Sequence, residues 1–257
     1  MAETPQSQPW YHAAFGEDYL ARYAHRDDAE AAHAVALLTA NAGLATGAAV
    51  LDLCCGAGRH LAHLGRAGLA AVGGDLSEKL LAVAKVNAGR PLARLDMRHL
   101  PFAAESFDLV ANFFTAFGYF HGDAENFAVF AEVHRVLRPG GCFALDFLNA
   151  EAVRRQLAEM PPEEVMECDG GDAWVISRGL SADGRRAEKH QWLLRGGRCV
   201  RSFQESVRLF SPAEIDAALE SRGFAITHRW GNYAGDAFDA EASSRYFVMA
   251  RKEGSGE

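Results

Sequence analysis

Val50-Leu51-Asp52-Leu53-Cys54-Cys55-Gly56-Ala57-Gly58-Arg59-His60-Leu61 is the stretch on which the reading of this chain turns. Ala48 to Leu53 is short and apolar, as a buried strand is; two glycines follow, then a helical stretch from Arg59 to Arg66 that Gly68 can stop. A strand, a glycine loop and a helix in that order let a ligand approach backbone N–H groups that have no partner within the helix. The unit recurs. Ala70 to Gly74 reads as a strand ending at Asp75, Ser77 as the cap of a helix Glu78 to Asn87, and Leu92 to Leu95 as a strand ending at Asp96. Phe107 to Phe113, a helix from about Asp123 to Leu137 closed by Pro139-Gly140-Gly141, and a strand Cys142 to Phe147 come next. Such alternation predicts an α/β fold with a doubly wound, mostly parallel sheet that takes ligands at the carboxyl ends of its strands.

Upstream, Asp28 to Asn41 has helical spacing, so residues 1–43 are expected to form a helical cap. From about Glu163 the pattern alternates, with segments Ala173 to Leu180, Glu188 to Leu194 and Val200 to Leu209 parted by glycine turns, which predicts an antiparallel insert over 161–209 that serves as a substrate lid or dimer surface. Ser211-Pro212-Ala213-Glu214 starts a helix stopped at Gly223, and strands Phe224 to Trp230 and Arg245 to Arg251 bring the main sheet to seven. The core is thus expected over 44–160 and 210–251, with a disordered tail at 252–257.

Composition narrows the function. The 257 residues are 49% hydrophobic and 23% charged, ordinary for a globular domain, and 26 Lys+Arg against 34 Asp+Glu leave a net charge of −8, which argues against a dedicated nucleic-acid binder. Between Gly184 and Arg208, seven basic residues face two acids; they read as the solvated face of a half-exposed sheet. No apolar run approaches a membrane span, and the first residues lack a basic stretch followed by an apolar one, so a cytoplasmic protein is expected. Five cysteines, two of them adjacent, do not make a disulfide framework, and with no CxxC or HExxH spacing no metal is expected.

The glycine loop lacks the third glycine of the dinucleotide fingerprint, having Leu61 there, which weakens a pyrophosphate ligand and with it a nicotinamide-dependent oxidoreductase. Asp75 can accept two hydrogen bonds from a ribose diol, and Asp52, Asp75 and Asp96 at three consecutive strand ends favour a nucleoside. VLDLCCGAGRHL, GGDLS, LDMRHLPF, FDLVANFFTAFGYF and RVLRPGG together resemble the successive motifs of class I S-adenosylmethionine-dependent methyltransferases, over roughly residues 48 to 147, and the further pattern is similar to small-molecule N-methyltransferases of the sugar N,N-dimethyl and glycine types. The resemblance implies a Rossmann-like sheet and S-adenosyl-L-methionine as cofactor, with S-adenosyl-L-homocysteine as product. It places Gly56 and Gly58 under the methionine moiety, although Cys54 stands where the family pattern has glycine; Asp52 would order the loop or meet the amino group. Arg59 would reach the methionine carboxylate, Asp75 with Leu76 the ribose, Asp96 and Met97 the adenine, and Phe113 the ammonium. Tyr11 and Tyr19 match tyrosines that close over the cofactor, Tyr119 a substrate-side residue, and Arg245 an arginine brought to the substrate.

Methyl transfer needs positioning above all, while a base helps only a hydroxyl acceptor. Tyr119, His121, Asp146, Asn149 and Arg245 are the candidates for acceptor-side chemistry. The expected partner is a small-molecule methyl acceptor, nitrogen or oxygen, with no nucleic acid or membrane, on a monomer or homodimer. The competing readings are the oxidoreductase and a non-catalytic module that kept the cofactor pocket.

Overall fold

In the computed structural model, residues 9–15, 28–167 and 172–254 are described; Tyr19 and Cys168 lie outside them. β1 (Ala49–Leu53) sits at the centre of a seven-stranded sheet, paired in parallel with β2 (Ala70–Asp75) and β4 (Phe107–Asn112), so that Asp52 lies opposite Gly73 on one side and Ala111 on the other. β3 (Leu92–Arg94) continues one edge; β5 (Leu137–Leu148), β11 (Arg245–Lys252) and β10 (Phe224–Trp230) continue the other, giving the order β10-β11-β5-β4-β1-β2-β3. Only β11 runs against its neighbours. The strand order reverses between β1 and β4, the point at which α/β sheets open a ligand crevice.

Strands buried on both faces read as continuous apolar runs, and here the alternation resolves into two cores. Leu51, Leu53, Val110, Phe143, Leu145 and Val248 face helices α5 (Asp123–Val136) and α7 (Pro212–Glu220). Val50, Leu109, Ala111, Ala144, Phe247 and Met249 face α2 (Asp28–Ala42) and α3 (Arg59–Arg66). α4 (Glu78–Ala88) follows β2 and is capped by Ser77, as the sequence predicts. The short helix α1 (Trp10–Ala14) packs against the insert.

Several boundaries differ from expectation. α5 ends at Val136 and β5 starts at Leu137, because Leu137 already pairs with Phe107, and Arg138-Pro139-Gly140-Gly141 ride at the irregular start of the strand, where a missing N–H costs no ladder bond. α6 (Ala150–Glu159), capped by Asn149, went unforeseen. β11 runs through Lys252, so the tail begins later than expected: the buried ammonium donates to the His134 and Leu137 carbonyls at the end of α5. The tail's residues 255–257 lie outside the described ones.

The insert is a four-stranded antiparallel sheet, β6 (Glu163–Glu167), β7 (Asp172–Leu180), β8 (Arg186–Arg195) and β9 (Arg198–Arg208). β6 was missed because it is wholly exposed and has no apolar face to set a period. The expectation of a solvated basic face holds for the exposed Arg195, Arg198 and Arg201 and needs correcting for three others: Arg208 is buried between Asp123 and Glu214, exposed Arg185 pairs with Asp123, and Arg186 donates to the Phe120 and Gly118 carbonyls. These arginines dock the insert onto the loop before α5. At that seam Gly118 has φ +84°, and a Cβ there would stand 2.9 Å from the Arg208 carbonyl oxygen.

Candidate active site

The carboxyl ends of β1, β2 and β3 and the turn after β4 open onto one cleft of about 880 Å³, within the span of small-molecule sites. Asp75, at the end of β2, is the organising carboxylate. One oxygen accepts the Gly56 N–H at 2.9 Å and the other the Ser77 N–H at 2.8 Å, so a single side chain fixes the glycine loop and the cap of α4. Burial raises its pKa while those N–H groups pull it back. Each oxygen keeps a second lone pair, and Asp75 lines the cleft, which suits a vicinal diol. At the mouth of α3, Gly58 has φ +84°, and a Cβ would stand 3.0 Å from that of Ala84; this glycine lets α3 and α4 close on each other.

Asp96 also lines the cleft, clasped by Arg98 through bonds of 2.7 to 3.2 Å; Arg98 in turn reaches Glu125 at 2.7 Å and lies 4.3 Å over the Phe120 ring. Burial alone would raise the Asp96 pKa, yet the Arg98 bonds and charge prevail and hold it below the usual carboxylate value. Asp96 is therefore an anion at neutral pH. Cys54 occupies the left-handed region at φ +62°, and its Sγ lies 3.7 Å from Met97 Sδ. Burial first, then the Asp75 charge, pushes its pKa well up, which holds the thiol protonated.

Aromatic rings make the rest of the wall. Phe113 stacks on His60 at 4.3 Å, and the Arg59 guanidinium, 3.4 Å from Glu30, lies 5.0 Å over Phe114. Tyr119 packs against Trp10 (5.0 Å) and Phe15 (5.7 Å), and Tyr11 meets Phe120 edge-on at 5.6 Å. Three polar bonds place these rings: Ser77 Oγ donates to the Phe15 carbonyl at 2.7 Å, and buried Asn126 both donates to and accepts from the Phe120 backbone.

Of the residues singled out in the sequence, Tyr11, Cys54, Gly56, Gly58, Arg59, Asp75, Leu76, Asp96, Met97, Phe113 and Tyr119 line this cleft. Five others do not. Asp52 is buried beneath it, 1% exposed, with its pKa raised to about 8 by burial and by the Asp75 charge against one bond from the Leu61 N–H. That bond ties β1 to the first turn of α3. His121 is exposed at the turn before α5, outside the lining, because Asn126 turns the chain back at Phe120. Arg245 lies behind Phe114, paired with fully buried Asp146 at 2.6 Å, and Asn149 is spent on capping α6 and on the Ala240 and Ser243 carbonyls. The sequence reading missed Phe15, His60, Phe114 and Phe120. Phe15 falls one helical turn after Tyr11, a spacing that was open to reading, whereas Phe114 reaches the cleft through a left-handed backbone that no local signal announces.

A parallel nucleoside-type sheet with one reversed strand, a glycine loop on β1 and acids ending β2 and following β3 define the class I methyltransferase architecture. The family model described as a methyltransferase domain matches residues 50–141 of the 257. It is 38% identical over 106 residues to an uncharacterized methyltransferase of Synechocystis, an alignment covering 41% of this chain and 49% of the relative. The chain thus spans about half the length of that relative. It is 27% identical, over 72% of this chain and 79% of the other, to a dTDP-3-amino-3,4,6-trideoxy-alpha-D-glucopyranose N,N-dimethyltransferase of Streptomyces venezuelae. Its fold is that of an S-adenosylmethionine-dependent methyltransferase from Clostridium acetobutylicum, with TM-score 0.77 at 18% identity, covering 92% of this chain and 98% of that one.

Proposed function

We propose that this protein transfers a methyl group from S-adenosylmethionine to a nitrogen or oxygen of a small molecule. The observation that carries the reading is the Asp75 clamp: one carboxylate, lining the cleft, that holds the glycine loop and the cap of α4 in place for a ribose diol. The residues present fit the cofactor. Asp75 with Leu76 would take the ribose, Asp96 and the Met97 backbone the adenine, and Gly56, Gly58 and Arg59 the methionine end; all of them line the cleft. When bound, the cofactor supplies a sulfonium methyl open to in-line displacement.

The chain's own part is placement and exclusion of water. Phe113, Phe114, Tyr119 and Phe120 give the acceptor side apolar walls, and Tyr11, hydrogen-bonded to Arg98, closes the adenine side. A neutral amine needs no base, which suits a cleft that, of the acceptor-side candidates read from the sequence, Tyr119 lines while His121, Asp146, Asn149 and Arg245 do not. The sugar N,N-dimethyltransferase relative favours an amine on a small polar scaffold as the acceptor. Leu61, where a dinucleotide fold has its third glycine, is fully buried, and its side chain closes over Gly73; this disfavours a nicotinamide reading.

Thermal unfolding with S-adenosylmethionine, S-adenosylhomocysteine, NAD and NADP, each at large excess, tests the proposal. At about 100 times Kd a ligand adds about 2.7 kcal/mol, a rise of roughly 5–10 °C for a chain of this size. A rise with the sulfur nucleosides alone supports it and opens a screen of amines and phenols with isotopically labelled methyl; a rise with a dinucleotide alone overturns it. A cofactor response without transfer to any acceptor would favour the non-catalytic module.

A further inference from the structure

Phe114 and Thr115 are consecutive non-glycine residues at φ +59° and +62°, a conformation that L residues rarely adopt and that persists only where the surroundings impose it. What imposes it is a buried cluster behind the cleft. Asp146 on β5, fully buried, accepts the Phe114 N–H at 2.7 Å and the Tyr233 hydroxyl at 2.6 Å on one oxygen, and the Arg245 Nε–H at 2.6 Å on the other. Its backbone carbonyl accepts the Thr115 N–H at 3.0 Å. Arg245 Nη2 donates to Thr115 Oγ1 at 3.1 Å, and the same guanidinium lies over the Phe114 and Tyr233 rings. Both N–H groups of the turn and the Thr115 hydroxyl oxygen are therefore met by β5 or β11, and Tyr233 braces the carboxylate that meets the first of them.

We propose that Asp146, Arg245 and Tyr233 are positioning residues: they hold the Phe114–Thr115 turn left-handed and thereby fix the Phe113–Phe114 wall of the cleft. Through that wall the cluster reaches the ligand. Phe113 stacks on His60 and Phe114 carries Arg59, so the turn also sets the first residues of α3, where the methionine end is assigned. The protonation states suit the task. Burial first, then the Asp146 charge, raises the Tyr233 pKa and keeps it a phenol donor, while the Arg245 pKa is raised by its carboxylate partner despite burial. Asp146 is thereby spent as an acceptor, which explains why neither it nor Arg245 opens onto the cleft.

The ligand arm of this inference rests on the S-adenosylmethionine reading; the backbone arm does not. Tyr233→Phe and Arg245→Lys keep volume or charge and remove one or two of the bonds, with Tyr246→Phe as control, since Tyr246 is a buried tyrosine on β11 bonded to Asp216 and away from the turn. Each is followed by the amide proton shift of Phe114, the Cα and Cβ shifts of Phe114 and Thr115, and S-adenosylhomocysteine affinity by calorimetry. The two cluster variants should move the Phe114 amide upfield, shift both residues away from left-handed values and weaken S-adenosylhomocysteine by about fivefold or more, with Tyr246→Phe changing neither. Unmoved shifts overturn the inference, as does a moved turn with unchanged affinity or an equal loss in Tyr246→Phe. Failure of the unaltered protein to bind S-adenosylhomocysteine would overturn the cofactor reading, and the shifts would still decide the cluster.

Discussion

Replacing Asp75 by asparagine separates two jobs that the structure gives to one carboxylate. In the folded protein its two oxygens accept the Gly56 and Ser77 N–H groups. The amide keeps one acceptor and turns an NH2 toward the other N–H, so one buried donor loses its partner at a cost of about 1–3 kcal/mol, or roughly 2–12 °C in Tm. The ligand loses a charged acceptor for a ribose hydroxyl, worth about 1.5–3 kcal/mol, which is about 10- to 150-fold in Kd. Scanning calorimetry without ligand reads the first effect and titration with S-adenosylhomocysteine the second. Asp239→Asn is the control: that exposed aspartate also accepts two backbone N–H groups, far from the cleft, and its loss should leave affinity unchanged. The pH dependence has a definite sign. Because burial raises the Asp75 pKa, acidification should neutralise it and weaken binding before ordinary carboxylates titrate, and the asparagine variant should lack that dependence. An asparagine variant that loses Tm but binds S-adenosylhomocysteine within about twofold would leave Asp75 as a clamp alone and refute the ribose assignment.

Asp52 holds its proton up to about pH 8 in the folded chain but releases it near pH 4 when unfolded. Between those values stability should fall as pH rises, by up to about 1.4 kcal/mol per unit, and Asp52→Asn should flatten that part of the denaturant-derived profile; parallel profiles would refute the buried neutral acid. Ser77→Ala removes the cap of α4 and the tether to Phe15, so it should cost about 1 kcal/mol and speed chymotryptic cleavage at Trp10 and Tyr11; unchanged cleavage would show that the tether does not hold α1. Arg208→Ala should cost about 2 kcal/mol and free the insert, seen as faster amide exchange along β9; exchange confined to the old rate would mean that the other arginines suffice.

The fold was legible because its information is local. β1, β2 and β3 are short runs that end at or lead into a glycine loop or an acid, and the helix caps at Ser77 and Ser211 are written in the residues that make them. The strand-end half of the cleft was legible for the same reason: Gly56, Gly58, Asp75 and Asp96 sit at strand ends, where the order of elements alone decides which way they open. Tertiary structure decided the acceptor half. Arg245 and Asp146 lie 99 residues apart, and nothing in either segment reveals that they neutralise each other behind Phe114. The basic stretch of the insert reads as a wet face until Asp123 and Glu214, on other elements, are brought against Arg185 and Arg208. Charges separated along the chain are paired by packing, and a local pattern carries no record of that pairing. The sequence by itself therefore determined the sheet and the strand-end residues that line the cleft; only the folded chain determined which other polar side chains face it and which are consumed in holding its walls.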